Sequence, residues 1–538
     1  MNHPRGVSSE DFAGALQDFA NIVGKDWVFS KEEDLSLYED AYTPFFGEPD
    51  LQLVPSAAVA PAKVEEVQEI VRIANLRKIP LYAISTGRNL GYGGAAPTYS
   101  GSVIVDLKRM NRILEVSENE AYALLEPGVS FMDLYRYIED HNLPFMVATP
   151  APGWGSPIGN ALEHGTSSLA GDNFAMAHGL EVVLANGEVL RTGMGASANS
   201  RLWQNYRYGF GPSIDGIFTQ ANFGIVTKMG LWLLRKPEVV TSFVVSSFKS
   251  DDLHTLVDIA QILRQQGLTY STFANSPIRA ANNGVAGGQA LNIAEVRALI
   301  TRKDGGSPAE WEKLGKQENI AVSSVAADVR GPSRVVEATL DHAREAFSKI
   351  RGATFRRGPT FRFPLHPDSL PRDALNVLGI PSLWAFSRIA VQGLSHGHYF
   401  FSPVTKATAQ DLFAFNETIH DLLFESGDRE LLERIGWQGG EGSYPKAFIV
   451  LIEFLVSDDV ALNRRRRDLF KRLVQECGAR GWCEYRTPAA FQDLVMNQYS
   501  FNDHVLRRFH ETIKDAIDPN GILAPGRGGI WPRHLRKG

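Results

Sequence analysis

The stretch Ser85-Thr-Gly-Arg-Asn-Leu-Gly-Tyr-Gly-Gly-Ala-Ala-Pro97 places Gly87, Gly91, Gly93 and Gly94 within one short loop. Glycine admits positive φ and lets a backbone approach a ligand closely. Successive N–H groups in such a loop, from Thr86, Gly87, Arg88, Asn89 and Leu90 onward, can form a nest for pyrophosphate oxygens. The apolar run Pro80–Thr86 before it reads as a buried strand, and Ser102–Leu107 after it as another. Gly91-Tyr-Gly93-Gly-Ala-Ala96 has the form G-x-G-x-x-A, which signals a dinucleotide turn only where a helix opens at once. Pro97 and Ser100-Gly101 follow instead, so the order is strand, loop, strand, and a Rossmann turn is excluded. The plain alternative is a glycine-rich hairpin with no ligand.

A chain of 538 residues has room for two or more domains. Its net charge of −6 gives no reason to expect nucleic acid or a membrane surface, and no apolar run reaches the ~20 residues of a spanning helix. Two cysteines, Cys477 and Cys483, are too few for a disulfide framework and suit a reducing compartment. With no apolar leader behind Met1, the expected location is the cytoplasm.

Along the chain, residues 8–45 read as amphipathic helix, with Phe12, Leu16, Phe19, Ile22 and Val23 on one face. Val54–Ala60 reads as a strand, and Val64, Val67, Val71 and Ala74 mark a helix stopped before Pro80. Ala121–Gly128 is a strand ending in a turn, and Phe131–Ile138 a short helix. Gly153-Trp-Gly155-Ser156-Pro-Ile-Gly-Asn160 is a second glycine-rich stretch able to bring amides to the same ligand. Gly179–Leu190 has the hairpin pattern, with Asn186-Gly187 as the turn. Gly224, Ile225 and Val226 lead into a further buried strand. From Thr241 the pattern changes to a strand, a helix over 251–266, then mixed short elements, as in a second α+β domain. Arg464–Arg467 is a basic run on a helix, expected as a solvated face or a subunit contact.

The helix–strand–glycine-loop–strand order resembles the flavin domain of the vanillyl-alcohol oxidase, eugenol oxidase and 4-cresol dehydrogenase family of FAD-dependent para-phenol oxidoreductases. The resemblance runs over nearly the whole chain and is densest at residues 50–230, 395–405 and 484–531. It implies an α+β, two-domain flavoprotein. Residues 1–236 would bind FAD, 237–499 would cap the ring and shape the substrate pocket, and 500–538 would return to the first domain. By this resemblance Thr86, Gly87, Arg88, Asn89, Leu90, Gly91, Gly94, Gly155, Ser156, Asn160, Gly224, Ile225 and Val226 border the cofactor.

Four positions carry the implied chemistry. His398 lies in Ser395-His-Gly-His-Tyr-Phe-Phe-Ser-Pro403. Read alone, it is a core histidine, or with His396 half of a metal site lacking further ligands; no metal is expected. In the family, the histidine at this place attaches covalently to the flavin 8α-methyl, a fit task for neutral imidazole. Tyr92 in the glycine loop, and Tyr485 and Arg486 in Glu484-Tyr-Arg-Thr487, match the residues that hold the substrate phenol oxygen. Two phenolic donors and a guanidinium would favour a phenolate, which expels a hydride from the benzylic carbon and leaves a para-quinone methide. Arg527, where the family usually has lysine, would place a cation near the flavin pyrimidine.

The chain also departs from the family. Pro150-Ala-Pro-Gly-Trp-Gly-Ser156 puts Ala151 where relatives have an aspartate near flavin N5. A tyrosine is absent around Gly165–Leu169, and Ala385 and Phe386 occupy the region of an acidic residue upstream of the flavin histidine. Glu163 and His164 are candidate replacement bases or plain turn residues. The expectation is a roomier benzylic end taking bulkier 4-alkylphenols or 4-hydroxybenzylic alcohols, dioxygen as acceptor, and a homodimer or higher homo-oligomer. The rivals are a dehydrogenase with a cytochrome acceptor, an oxidase of non-phenolic alcohols, and a flavin-binding protein without catalysis.

Overall fold

The structure, a computed structural model, describes residues 3–280, 293–384, 396–435 and 440–536. Helix α1 (Ser9–Val23) opens at Ser8, whose side chain accepts from the Asp11 N–H, and buries Phe12, Ala15, Phe19 and Val23. Gly24, at φ 89°, ends it. The helix expected over 8–45 therefore stops halfway, and the chain continues through tight turns and a short strand, β1 (Val28–Phe29).

Strands β2 (Ala57–Val59), β3 (Leu81–Ile84) and β4 (Val103–Asp106) form a sheet in the order β1-β2-β4-β3, with α2 (Val64–Arg77) between β2 and β3. Strands β3 and β4 are parallel neighbours, Leu81 opposite Val103 and Ile84 opposite Asp106. A hairpin joins only antiparallel strands, so the glycine-rich hairpin is ruled out. Residues 85–102 instead carry the chain back along the sheet as an open crossover loop.

A second sheet takes β5 (Ile113–Ser117), β6 (Tyr122–Leu125), β7 (Ala177–Val183), β8 (Val189–Arg191) and β9 (Ile225–Trp232) in the order β8-β7-β9-β6-β5. All its pairings are antiparallel. The β7–β8 hairpin turns at Asn186-Gly187, with Gly187 at φ 81°. Helix α3 (Phe131–Asp140) starts with a capping box between Ser130 and Asp133. The short helix α4 (Pro157–Leu162) starts at Ser156.

A seven-stranded antiparallel sheet follows, built from β10 (Val239–Ser247), β11 (Thr272–Asn275), β12 (Ser323–Gly331), β13 (Thr354–Arg362), β15 (Val404–Lys406), β16 (Gly440–Tyr444) and β17 (Ala447–Ile449). Its order is β13-β10-β12-β11-β16-β17-β15. Strand β14 (His398–Phe401) pairs apart from it with β18 (Ile452–Leu455), His398 opposite Leu455. The helices α5 (Asp252–Gln265), α6 (Ser333–Phe347), α7 (Ala409–Ser426) and α8 (Val460–Ala479) share one apolar core with these strands, drawn from residues 239–495 and including the fully buried Trp311.

The first two sheets have cores of their own, and the end of the chain joins them. Ile522 and Leu523 pack with α1, α2 and β3, while Ile530 packs beneath the second sheet. Helix α9 (Phe501–Ile517) presents the fully buried Lys514, whose Nζ donates to the carbonyls of Asn222 (2.8 Å) and Leu523 (2.6 Å) and pairs with Asp518 (2.6 Å).

The basic run on α8 departs from its expected role. Arg464 and Arg465 are exposed, but Arg466 and Arg467 are buried. Arg466 pairs with Asp428 (2.9 Å) and Glu430 (2.9 Å) and donates to the Leu455 carbonyl (3.0 Å). Arg467 pairs with Glu48 and donates to the Pro44 carbonyl (2.7 Å). An amphipathic helix turns part of any continuous run inward, and acidic partners distant in sequence made that affordable here.

Candidate active site

A cavity of about 700 Å³ runs from the ends of β3 and the 523–527 tail to the 484–486 segment. Its floor is the glycine loop. Gly87, Gly91, Gly93 and Gly94 all have positive φ, between 57° and 107°. A Cβ at Gly91 would lie 2.7 Å from Phe400, and one at Gly93 2.9 Å from Ala489. At Gly224 it would lie 2.3 Å from Val182. With protein packed close against them, these positions present backbone, the material of an anion nest.

Thr86, Gly87, Arg88, Asn89, Leu90, Gly94, Gly155, Ser156, Asn160, Gly224, Ile225, Val226 and Arg527 all line this cavity, as do Tyr92, Tyr485 and Arg486. Gly91 and His398 do not. Gly91 sits behind Phe400, and its carbonyl accepts from the Phe400 N–H (3.2 Å). His398 is fully buried beside it, edge-on to Phe400 (4.4 Å between ring centres) and 5.2 Å from the Tyr42 ring. Burial, with the Arg434 charge second, pushes its pKa down to about 4, so the imidazole is neutral.

The polar groups at the far end are joined. The Tyr92 hydroxyl bonds Ser402 Oγ (2.7 Å), its ring lies under the Arg486 guanidinium (4.2 Å), and Tyr485 is a further hydrogen-bond partner. Burial, then Tyr485, raises the Tyr92 pKa well above the ordinary phenol value, so Tyr92 stays protonated. Arg486 is steered by Asn89 Oδ1, and Gln220 holds the Tyr485 carbonyl (2.8 Å). Phe400, Leu451 and Phe273 also line the cavity. A ring bearing a hydroxyl fits this chemistry: apolar faces, two hydroxyl donors and one cation.

Arg527 lines the cavity paired with Glu163, and it donates to the Tyr82 hydroxyl (3.2 Å). That pairing also takes Glu163 out as a free base. His164 bonds Thr219 through Nε2 (2.8 Å) and lines a different cavity, of about 620 Å³, on the other side of Tyr485. Ala151 lines the main cavity, covered by the 376–382 segment: Asn376 donates to the Pro150 carbonyl (3.3 Å), and the Ser382 carbonyl accepts from Gly153 (3.2 Å). Ala385 and Phe386 lie outside the described residues. Among the described residues there is no cluster of three metal-ligating side chains. No described helix is long and apolar enough to cross a membrane.

Sequence reasoning assigned no role to Ser402, Glu484 or Lys514. Ser402 and Glu484 stand inside motifs quoted above, Phe401-Ser-Pro403 and Glu484-Tyr-Arg, whose neighbouring residues carry the more obvious chemistry. Lys514 reads as any helix lysine, and nothing local marks it as buried.

Comparison with known proteins agrees with this geometry. Residues 55–193 match the FAD binding domain family. The chain is 35% identical over 535 residues to the 4-cresol dehydrogenase [hydroxylating] flavoprotein subunit of Pseudomonas putida, covering 98% of this chain and 97% of that one. It is 38% identical over 264 residues to 1'-carboxy-chondrochloren decarboxylase of Chondromyces crocatus, about half of each chain (49% and 48%). Among solved structures, 4-ethylphenol oxidase from Gulosibacter chungangensis in its isoeugenol complex superposes with a TM-score of 0.83 at 32% identity, covering 99% of this chain and 100% of that one. p-Cresol methylhydroxylase with substrate bound gives 0.83 at 33% identity, covering 98% and 99%.

Proposed function

The chain belongs to the FAD-dependent oxidoreductase family of the 4-cresol dehydrogenase flavoprotein subunit, and from that premise we propose that it oxidises para-substituted phenols, 4-alkylphenols or 4-hydroxybenzylic alcohols, at the benzylic carbon. The supporting observation is the joined group of Tyr92, Tyr485 and Arg486 at one end of a cavity bordered by the glycine loop.

The glycine cradle and the cavity fit FAD. Thr86 to Leu90 and Gly155 to Asn160 would hold it through backbone, with Gly224 to Val226 against another side. Bound FAD supplies the acceptor for the hydride leaving the benzylic carbon. The chain's own work is at the other end of the substrate. A free phenol has a pKa of ~10, and lowering it by about three units takes on the order of 4 kcal/mol. Hydroxyl donors and a guanidinium on one oxygen supply ~1.5–3 kcal/mol each once that oxygen is charged. Tyr92 is suited to donate because its own ionisation is suppressed. The phenolate charge, delocalised to the para carbon, drives hydride loss and leaves a para-quinone methide. Ala151 offers no base at the cavity wall, Glu163 is held by Arg527, and the other carboxylate lining the cavity, Asp373, stands on a different segment, so the relatives' aspartate has no replacement at its own position. Desaturation or alcohol oxidation is then favoured over hydroxylation. Dioxygen is the proposed final acceptor and hydrogen peroxide the product. His398, neutral and two residues before Phe400 on β14, is the proposed point of covalent attachment.

The test compares 4-hydroxybenzyl alcohol with its 4-methoxy analogue. The ether cannot form a phenolate, so anaerobic bleaching of the flavin by the phenol alone is expected; equal bleaching by both overturns the phenolate step. Admitting air to the bleached protein should restore the yellow colour within seconds if dioxygen is the acceptor. Yellow colour that stays in an acid-precipitated pellet is expected from attachment through His398.

A further inference from the structure

Glu484 is fully buried and immediately precedes the two residues proposed to hold the phenol oxygen. Its Oε1 accepts the Ser402 N–H (2.8 Å), and Ser402 Oγ bonds the Tyr92 hydroxyl (2.7 Å). The backbone repeats the link: the Tyr485 N–H donates to the Ser402 carbonyl (3.2 Å), and Pro403 bridges to Glu484. Behind it, the Tyr499 hydroxyl donates to the Glu484 carbonyl (2.9 Å).

We propose that Glu484 is a positioning residue for the phenol end, working as a neutral acid: it orients Ser402, and through Ser402 the Tyr92 hydroxyl, without placing negative charge beside the oxygen that must ionise. This rests on the phenol reading above. For Tyr92 to donate toward a phenolate, its oxygen must accept from Ser402, and holding the Ser402 backbone keeps Ser402 Oγ within reach of that oxygen. The titratable groups facing Glu484 are Cys477 on α8, Cys483 beside it and Tyr499, each with its ionisation suppressed chiefly by burial. Beyond Ser402 stand Tyr92, Tyr485 and Arg486. Burial pushes the Glu484 pKa up to about 8, so the acid is protonated at neutral pH and turns anionic just where a phenol would otherwise bind better as its own anion.

The experiment titrates FAD-loaded protein with phenol itself, which lacks a benzylic carbon and cannot be oxidised, following flavin absorbance from pH 6 to 10. In Glu484→Gln the affinity is expected to rise steadily with pH. In the wild type the rise is expected to level off above about pH 8, leaving a gap of about tenfold by pH 10. Glutamine keeps an acceptor for Ser402, so at pH 6.5 the two should agree within about threefold. Superimposable pH curves overturn the inference alone, as does a tenfold weaker Glu484→Gln at pH 6.5. A wild type that binds phenol at no pH overturns both this inference and the function it rests on. Should Glu484→Gln fail to load FAD, Ser402→Ala carries the test. It severs the line to Tyr92 but keeps the N–H bond, so phenol affinity at pH 6.5 must fall at least about fivefold, and an unchanged affinity overturns the inference.

Discussion

Arg486 has two jobs that a lysine cannot share. Its flat guanidinium covers the Tyr92 ring at 4.2 Å, and one of its nitrogens is tied to Asn89 in the glycine loop. A lysine would keep the charge and lose the planar contact and the fixed direction. Arg486→Lys is therefore expected to lower kcat/KM for a 4-alkylphenol by about 10- to 100-fold, since a directed charged hydrogen bond contributes ~1.5–3 kcal/mol. Tyr485→Phe should fall in the same range. Neither should change FAD content, so the ratio of flavin to protein absorbance is the control, and loss of flavin from either variant would show that the pair serves the cofactor. At this scale the sequence was readable for placement: Tyr92, Tyr485 and Arg486, singled out by their chemistry, line one cavity. What it could not show was a partner far along the chain: Arg527 is paired with Glu163, 364 positions away.

Among the elements, the crossover between β3 and β4 carries the site, and it is held shut from behind. Gly91 sits at φ 80° with Phe400 2.7 Å from where a Cβ would be. Gly91→Ala combines a left-handed alanine with a clash, roughly 1–3 kcal/mol of strain. The strain can be relieved only by moving the loop or β14, so weaker FAD retention is expected, by about 10- to 100-fold on dialysis. Full retention would mean that Phe400 yields without moving the loop. Strand β14 has a support of its own. Arg466 donates to the carbonyl of Leu455, the residue opposite His398, while neutralising Asp428. Arg466→Met removes the charge partner of the half-buried Asp428 and is expected to cost on the order of 1–3 kcal/mol, read as a lower melting temperature. The elements themselves were mostly legible, because apolar spacing and glycine placement are local signals. Burial of half the Arg464–Arg467 run was not, because it depends on Asp428, Glu430 and Glu48 in other elements.

For the whole molecule, a few buried titrating groups set how stability follows pH. His178 and His398 are held neutral by burial, with pKa values pushed down to about 4, so their contribution is complete above ~6.5 and is lost as pH falls toward 4. Asp40 and Glu484 move the other way, burial raising them to about 6 and about 8. Their contribution is complete below ordinary carboxyl values and is lost as pH rises through those raised values. Between about pH 4.5 and 6 the two tendencies oppose each other. From about pH 6.5 to 8 the histidines and Asp40 have finished titrating, and among these four groups Glu484 alone still changes. One proton per molecule corresponds to a fall of about 1.4 kcal/mol per pH unit. Asp328, also raised by burial, acts in the same direction. The melting temperature of the FAD-loaded protein, scanned at one rate, is expected to drop across that window, and most of the drop should vanish in Glu484→Gln. An equal drop in the variant would mean that Glu484 is already ionised at neutral pH, with the decline belonging to Asp328. Such a dependence was beyond the sequence for a physical reason. Glu484 is a carboxylate in a polar-looking tripeptide, and only the closing of Ser402, Tyr499 and α8 around it makes it an acid that resists losing its proton.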